Sequence, residues 1–187
     1  MQFRSIATTA LGLLPLANAV NINLFYSIFE DNCDHGQSYA SCSDIVADKC
    51  CVYGSPIYSV EGTSLITEGV PAVVAAFTGP TGQCSVSCNS GGGDPTQCVN
   101  CNDEPLSGGM WYKFGKRDLS GPLKPAYEEV AYADRIGLWD DALGAHREFN
   151  ISAGVPSVVV AELDAAFKKG SKAAAVSERV LAFEIKN

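Results

Sequence analysis

The chain has 187 residues, a formal net charge of −8 and eight cysteines, and 47% of its residues are hydrophobic. This length allows one domain with a full core or two very small ones, and we expect one. The acidic balance argues against nucleic acid or an anionic membrane as partner, because both are bound through clustered Lys and Arg. The single basic cluster, Lys113, Lys116 and Arg117, is too small to change that expectation.

The N-terminus has the pattern of a secretory signal peptide. Arg4 precedes a mostly apolar stretch at residues 6–16, and Ala17-Asn18-Ala19 supplies the small-x-small motif of a cleavage site. A buried helix is the alternative, but a glycine and a proline interrupt the stretch. We therefore predict that residues 1–19 are a signal peptide. The mature chain, residues 20–187, then has 12 basic and 21 acidic residues, a net charge of −9.

The mature chain has no pattern of a membrane anchor. Its best apolar run, residues 70–77, is much shorter than the roughly 18 residues of a spanning helix. The C-terminus ends in polar residues rather than in a hydrophobic tail. We therefore predict a secreted, extracellular protein without a membrane partner.

Four segments in the first part of the mature chain have the pattern of β-strands. Residues 22–29 alternate between two partly apolar faces, which predicts a central strand. Residues 50–58 and 72–78 are rich in valine and aromatic side chains and are bounded by glycine and proline, so each predicts a strand. Residues 110–114 are the fourth predicted strand.

All eight cysteines lie within residues 33–101. They make up about 12% of that segment, above the roughly 8–10% that indicates a disulfide scaffold. An even number in an exported chain predicts four disulfides, and the 105 pairings stay open. Adjacent cysteines are expected to bond to different partners, because neighbouring strand residues point to opposite faces. The eight are Cys33, Cys42, Cys50, Cys51, Cys84, Cys88, Cys98 and Cys101.

The last four cysteines have nearly the spacing of a four-thiolate zinc site. Cys84-x3-Cys88 is followed by Cys98-x2-Cys101. Disulfides are the better interpretation, because exported thiols oxidise before a structural metal is needed. We therefore expect no metal and no cofactor, and a flexible loop at residues 90–95 between two bridges.

The chain after residue 121 has a different character. Pro125 and the acidic pair behind it predict a helix to about Arg135, and residues 157–170 predict a second helix that ends in two lysines and a glycine. The three valines at residues 158–160 fit a strand equally well, so that alternative stays open. Residues 180–185 alternate, which predicts an edge or closing strand. The whole predicts an α+β fold in which β dominates, a disulfide-stapled antiparallel sheet or sandwich with one or two C-terminal helices. We expect the cysteine-free part, residues 118–187, to need the bridged segment for its core.

Few residues are candidates for catalysis. The two histidines, His35 and His146, stand in neither a nucleophile elbow nor a His-Glu-x-x-His motif, so ordinary loop positions are favoured. Adjacent helical residues diverge by about 100°, so an acidic pair is not itself a glycosidase dyad. Glu128-Glu129 and Asp140-Asp141 are therefore interpreted as solvated surface, and no catalytic residue is assigned.

Two processing signals accompany the export pattern. Asn150-Ile151-Ser152 is a glycosylation sequon, so we predict a glycan on Asn150. Lys116-Arg117 is a dibasic site of the type that secretory proteases cleave, and cleavage would separate residues 118–187 from the bridged segment. A strand that includes residues 112–114 would protect the site, and that outcome is favoured.

The export signal, the clustered cysteines with the Cys50-Cys51 pair, and the lack of a catalytic motif together resemble the small secreted cysteine-rich proteins of filamentous fungi. Many of these are effector candidates at a host surface, so the resemblance implies a role in virulence and assigns no site residue. Residues 22–88 are also faintly similar to a βγ-crystallin Greek key, with Cys-x-x-Gly at Cys33 to Gly36. The calcium motif of that family is absent, so calcium is not implied.

Three functions follow in order of preference. The first is a non-enzymatic effector or extracellular interaction module, whose partner is an extracellular protein or carbohydrate, host-derived if the effector resemblance holds. The second is a small extracellular hydrolase that uses carboxylates, and the third is a structural cell-wall protein. A pocket with two carboxylates about 5–10 Å apart would favour the hydrolase.

Overall fold

The structure is a computed structural model. It describes residues 20–26, 33–67, 70–102, 104–113, 129–170 and 172–186. The predicted signal peptide, the dibasic site and the first residues of the helix predicted from Pro125 lie outside the described residues.

The described residues form twelve strands and three short or medium helical segments. The strands are β1 Val20–Phe25, β2 Tyr39–Ile45, β3 Lys49–Val52, β4 Ser59–Thr63, β5 Ile66–Thr67, β6 Val70–Thr78, β7 Val86–Gly92, β8 Thr96–Asn100, β9 Gly108–Lys113, β10 Glu129–Tyr132, β11 Arg135–Asp140 and β12 Ala145–Asn150. The helices are α1 Ser157–Lys168, a 3₁₀ turn Ala173–Ala175 and α2 Glu178–Leu181.

The strands form two sheets. Sheet A has the order β12-β11-β2-β1-β4-β8, and every neighbouring pair in it is antiparallel. Sheet B has the order β10-β3-β9-β6-β5, with β7 also paired to β6, and β10 runs parallel to β3. The predicted central position of the first strand is confirmed, since β1 lies between β2 and β4.

The main core lies between the two sheets. In β1 the alternation sends Ile22 and Leu24 inward, where they are fully buried, and sends Asn23 to the outer face of sheet A. Sheet B contributes Val74 and Trp111, and the Trp111 indole N–H donates to the carbonyl of Ile45 in sheet A at 2.7 Å. The predicted β-dominant α+β fold is confirmed in its sandwich form.

Helix α1 closes the core from the C-terminal part. Its buried side chains, Val159, Leu163 and Phe167, recur at the spacing of one helical face. Phe167 is fully buried and packs on the rings of Tyr26 and Tyr53, with centroids 5.3 and 5.0 Å away. The prediction of this helix and of its glycine stop is confirmed, because Gly170 takes φ +60° just beyond it.

All eight cysteines form disulfides, as predicted. Cys50 and Cys51 bond to different partners, Cys84 and Cys42. The Cys42–Cys51 bridge joins β2 of sheet A to β3 of sheet B. The four thiols with zinc-like spacing are divided among three bridges. The pairs are Cys33–Cys98, Cys42–Cys51, Cys50–Cys84 and Cys88–Cys101.

Two of the predicted strands are confirmed in place and one is interrupted. β6 covers residues 72–78, and β9 covers the described residues of the fourth predicted strand. The strand predicted over residues 50–58 is wrong in its second half, because β3 ends at Val52. Gly54 and Pro56 follow, and β4 begins only at Ser59.

Three further predictions are wrong. The helix to Arg135 is wrong in its described residues: residues 129–132 form β10, in which Val130 and Ala131 pair with Cys50 and Cys51, and Arg135 begins β11. Residues 90–92 belong to β7, so the loop predicted at residues 90–95 is reduced to its last three residues.

The strand predicted over residues 180–185 is also wrong in its first part. Residues 178–181 form α2, which buries Val180 completely. Only the end of the segment meets the sheet, where Glu184 forms an isolated bridge to Phe149 of β12. The Ile185 N–H there donates to the carbonyl of Glu148 at 2.8 Å.

Candidate functional site

The outer face of sheet A brings together the two histidines, which lie 111 positions apart in the sequence. His35 lies in the loop of residues 33–38, and that loop covers part of the face before β2 begins. His146 lies in β12, so its predicted loop position is wrong. Between them stand Phe25 and Tyr39, whose ring centroids are 5.6 Å apart. We call this surface the histidine face.

A buried carboxylate anchors one end of the histidine face. Glu61 in β4 has a side chain only 3% exposed, although it points to the outer face. One carboxylate oxygen accepts from the Asn23 amide at 3.0 Å, and the other lies 3.1 Å from Nε2 of His35. Burial of an ionised carboxylate requires such partners. The Glu61 carboxylate therefore gives the largely exposed His35 side chain a partner on sheet A.

The other end of the face is held by His146. Its Nε2–H donates to the carbonyl of Gln37 at 2.7 Å, and its ring packs on Tyr39 and Trp139 with centroids 4.6 and 5.3 Å away. Burial lowers the pKa of His146 below its ordinary value, against the opposing effect of the Gln37 carbonyl. The neutral imidazole thus fixes the far end of the loop.

The Tyr39 ring crosses β11 at Gly137, where the strand has no side chain to block it. A Cβ at Gly137 would lie 2.4 Å from the Tyr39 ring. The phenol O–H reaches over this position and donates to Glu148 of β12 at 2.7 Å. Arg135 donates to the second oxygen of Glu148 at 3.1 Å. Burial and the neighbouring carboxylate both raise the pKa of Tyr39, so the phenol stays a donor.

The histidine face has the properties of a support for the loop. Each of its two carboxylates already bonds two side chains. Glu61 and Glu148 also lie four strands apart in sheet A, about 19 Å between backbones at the usual strand spacing. A glycosidase dyad needs carboxyl groups about 5–10 Å apart. This arrangement favours positioning over acid–base chemistry.

A cleft beside helix α1 is a second candidate site. Its volume is about 520 Å³, larger than two other described pockets of about 220 and 180 Å³. One wall is the connection Tyr53-Gly54-Ser55 between β3 and β4, and the other is one stripe of α1 with Val155 before it. The stripe consists of Ser157, Val160, Ala161, Asp164 and Lys168. We call this site the α1 cleft.

A polar network lies across the floor of the α1 cleft. One oxygen of Asp164 accepts from the Tyr53 hydroxyl at 2.9 Å and from the Ser55 hydroxyl at 3.5 Å. The other oxygen bonds the Lys168 ammonium at 2.7 Å, one helical turn away. Burial and the Asp164 carboxylate raise the pKa of Tyr53, which keeps its proton. The network joins the two walls of the cleft.

The acidic pairs do not form dyads in their described residues. Asp140 accepts from the backbone N–H groups of Ala142 and Leu143, so it shapes the turn between β11 and β12. Asp141 is exposed and pairs with Lys172 at 3.3 Å. Glu129 pairs with Lys49 at 2.6 Å across the parallel strands. These carboxylates act in local structure and charge pairing.

The sequon lies at an accessible position. Asn150 is exposed at the end of β12, and its side-chain oxygen accepts from the N–H and the hydroxyl of Ser152 at 2.7 and 2.6 Å. The asparagine amide nitrogen, the atom that would carry a glycan, is not the one used in these bonds. Glycosylation of Asn150 stays a prediction.

Across residues 20–186, outside the undescribed gaps, His, Cys, Asp and Glu side chains form no group of three or more suited to hold a metal ion. No helix in those ranges is long and apolar enough to cross a membrane.

Comparison with known proteins identifies a family. A family model, ARB_05566_N, which is described as an N-terminal domain, matches residues 21–134, more than half of the chain. The chain belongs to the ARB_05566_N family. The matched region contains all eight cysteines and ends where β11 begins, so α1 lies beyond it. One wall of the α1 cleft is thus inside the family match and the other is outside.

No curated protein and no solved structure matches the chain. The four disulfides of this ARB_05566_N protein fit the plan of a small cysteine-rich protein. Neither the effector role nor the βγ-crystallin similarity gains support from the comparisons.

The α1 cleft was missed by sequence reasoning. Its two walls are more than 100 residues apart in the chain, and neither contains a motif. The one available signal was the helical stripe of small and polar residues in α1, on the side away from its buried face.

Proposed function

We propose that this protein is a secreted, non-enzymatic interaction module of the effector type, which binds an extracellular protein or carbohydrate. The observation that carries the proposal is the framework of four disulfides around one sandwich. Such bridges form and persist in oxidising compartments outside the cytosol. They also restrict the unfolded chain, which suits a protein exposed to proteases.

The bridges also act on the surfaces that could meet a partner. Cys33–Cys98 ties the loop of residues 33–38 to β8, next to the Glu61–His35 pair. His146 holds the other end of that loop. A binding surface that is rigid before association loses less conformational entropy when a partner binds. The loop thus has the preorganisation of a binding surface, and the Asp164 bonds join the two walls of the α1 cleft in the same way.

Export and maturation have a direct test. The full chain is produced in a secreting host, and the protein in the medium is analysed by intact mass and N-terminal sequencing. We expect a chain that begins at Val20 and takes up no alkyl label under denaturing, non-reducing conditions. Protein retained in the cell with residues 1–19 attached, or uptake of two or more labels, would contradict secretion with four bridges.

The mode of action is tested on the same secreted protein. It is incubated with immobilised extracellular proteins and soluble polysaccharides, while new reducing ends are measured in solution. An interaction module gives saturable, reversible binding and no product. Turnover would support the carboxylate hydrolase instead. Unsaturable adsorption to insoluble wall material alone would support a structural wall protein.

A further inference from the structure

We propose that the α1 cleft binds a neutral oligosaccharide. This inference rests on the proposed function, because it names the partner class and the place where that partner is bound. The size of the cleft, the chemistry of its lining and its charge support it.

The dimensions of the cleft suit an extended ligand. A volume of about 520 Å³ lies within the range of about 300–1,000 Å³ that is typical of ligand sites. The helical wall extends from Ser157 to Lys168, about 16 Å along the axis at 1.5 Å per residue. Residues on both rims, Gly54 and Ala161 among them, are exposed. A chain of several sugar units could therefore lie along the helix and leave at either end.

The lining combines hydroxyl-binding groups with small apolar surfaces. Asp164 can accept up to about four hydrogen bonds and receives three within the protein, from Tyr53, Ser55 and Lys168. The Lys168 ammonium has three N–H donors, so further donors are available to a ligand. A sugar hydroxyl both donates and accepts, and this alternation of donor and acceptor groups is complementary to it.

The apolar part of the lining faces the same space. It consists of the Tyr53 ring, which packs edge-on against Phe167, together with Val155, Val160 and Ala161. A pyranose ring presents C–H groups on its faces and hydroxyls at its edge. An aromatic wall beside a polar floor can therefore contact both parts of a sugar at once.

The charge of the cleft selects a neutral ligand. Asp164 and Lys168 are its two charged groups, and they neutralise each other at 2.7 Å. An anionic ligand would meet the Asp164 carboxylate and a chain of net charge −8. A cationic ligand would have to displace Lys168 from its partner. A hydroxyl-rich ligand without charge avoids both penalties.

The test uses the secreted protein and a panel of defined probes. Hexamers of β-1,4-linked glucose, β-1,4-linked N-acetylglucosamine, β-1,3-linked glucose and α-1,6-linked mannose are titrated in ¹H–¹⁵N spectra, with hexagalacturonate as the charged probe. We expect at least one neutral hexamer to shift the amides of residues 53–55 and 157–168. Hexagalacturonate should bind more weakly. The absence of binding by every neutral hexamer, or tighter binding of hexagalacturonate, would overturn the proposal.

Matched variants locate the site. Ala161→Trp fills the cleft from the helix and should weaken binding about tenfold or more. Val158→Trp adds the same bulk at an exposed position of α1 outside the cleft lining and should leave the affinity unchanged. If Ala161→Trp does not fold, Gly54→Leu fills the cleft from the opposite wall, where a Cβ meets nothing within 4 Å. Equal affinity of the wild type and the cleft-filled variant would overturn the assignment.

The same measurements separate this inference from the proposed function. If an extracellular protein binds and none of the hexamers does, the interaction module is supported and the oligosaccharide site is wrong. If a hexamer binds in the cleft and is cleaved, the site is supported and the non-enzymatic function is wrong.

Discussion

The bridged segment, residues 33–101, and the cysteine-free C-terminal part, described over 129–170 and 172–186, are stabilised in different ways. All four disulfides lie within the first. The second is joined to the first by strand pairing, β10 to β3 and β11 to β2, and by the buried face of α1. Cross-links act mainly on the unfolded chain, whereas burial acts on the folded one. One sandwich here depends on both.

The two parts of the chain also build one candidate site together. The α1 cleft takes one wall from each part, and the Asp164 network connects the two walls. A change in either part that disturbs the shared core should therefore disturb the cleft.

Truncation of the helix core should have the largest effect. Phe167→Ala removes a fully buried ring and should lower the free energy of unfolding by about 3–5 kcal/mol. Urea unfolding is followed by the fluorescence of Trp111 in β9 and of Trp139 in β11. Both should report one coincident transition at lower urea. Val158→Ala, at an exposed position of the same helix, should shift it by less than about 0.5 kcal/mol.

Removal of the bridge that spans the most residues should destabilise the protein about as much as Phe167→Ala. Cys33 and Cys98 are 65 positions apart, and the chain-entropy relation gives about 4 kcal/mol for a loop of that length. The double variant Cys33→Ala with Cys98→Ala is compared with the double variant Cys42→Ala with Cys51→Ala. The second variant removes a bridge between cysteines 9 positions apart, and its loss should lower the free energy of unfolding by about 3 kcal/mol. The reverse order in urea unfolding would mean that the bridge between the sheets acts through the native state.

A substitution under Tyr39 should have an intermediate effect. Gly137→Val places side-chain atoms where the Tyr39 ring lies, so the ring must move and its bond to Glu148 is lost. We expect about 1–3 kcal/mol of destabilisation, which Tyr39→Phe in the same background should barely increase. Full additivity of the two changes would show that the ring does not depend on Gly137.

The smallest expected effect is the loss of stability at mildly acidic pH. The pKa of His146 is lowered in the folded protein, so the unfolded chain binds more protons as the pH falls through about 6.5, and stability decreases there. His146→Gln should remove this part of the decrease. Glu184, whose pKa is held low by Arg147, acts only below about 4.5. Thermal unfolding between pH 7 and 5 measures the difference, and parallel curves for the two proteins would contradict it.

The local patterns of the chain predict many of the strands and helices of the sandwich, but not which strands pair with each other. Alternation predicted β1, a run rich in valine between glycine and proline predicted β6, and capping signals predicted α1. Residues 129–132 follow helix-like signals, yet Val130 and Ala131 find parallel partners in β3 that no local pattern can indicate. At residues 178–181 the burial of Val180 against the core decides the helix over an alternating pattern.

The candidate sites depend on long-range pairing even more. The cysteines were assigned from spacing and compartment alone, but their partners required the fold. His35 and His146 lie on one surface, with Phe25 and Tyr39 between them, only because β12 and the loop of residues 33–38 share a face of sheet A. The α1 cleft joins residues 53–55 to a helix that begins about 100 positions later.

The dependence of the two parts on each other has one direct measurement. Residues 118–187 are expressed alone, and amide hydrogen exchange is compared with that of the same residues in the full chain. We expect no slow amides in the fragment, because Ile136, Leu138 and Phe167 would lose the buried faces of both sheets. In the full chain the amides of β11 should exchange only on global unfolding. Slow, cooperative exchange in the fragment would show two autonomous domains and would contradict the shared core.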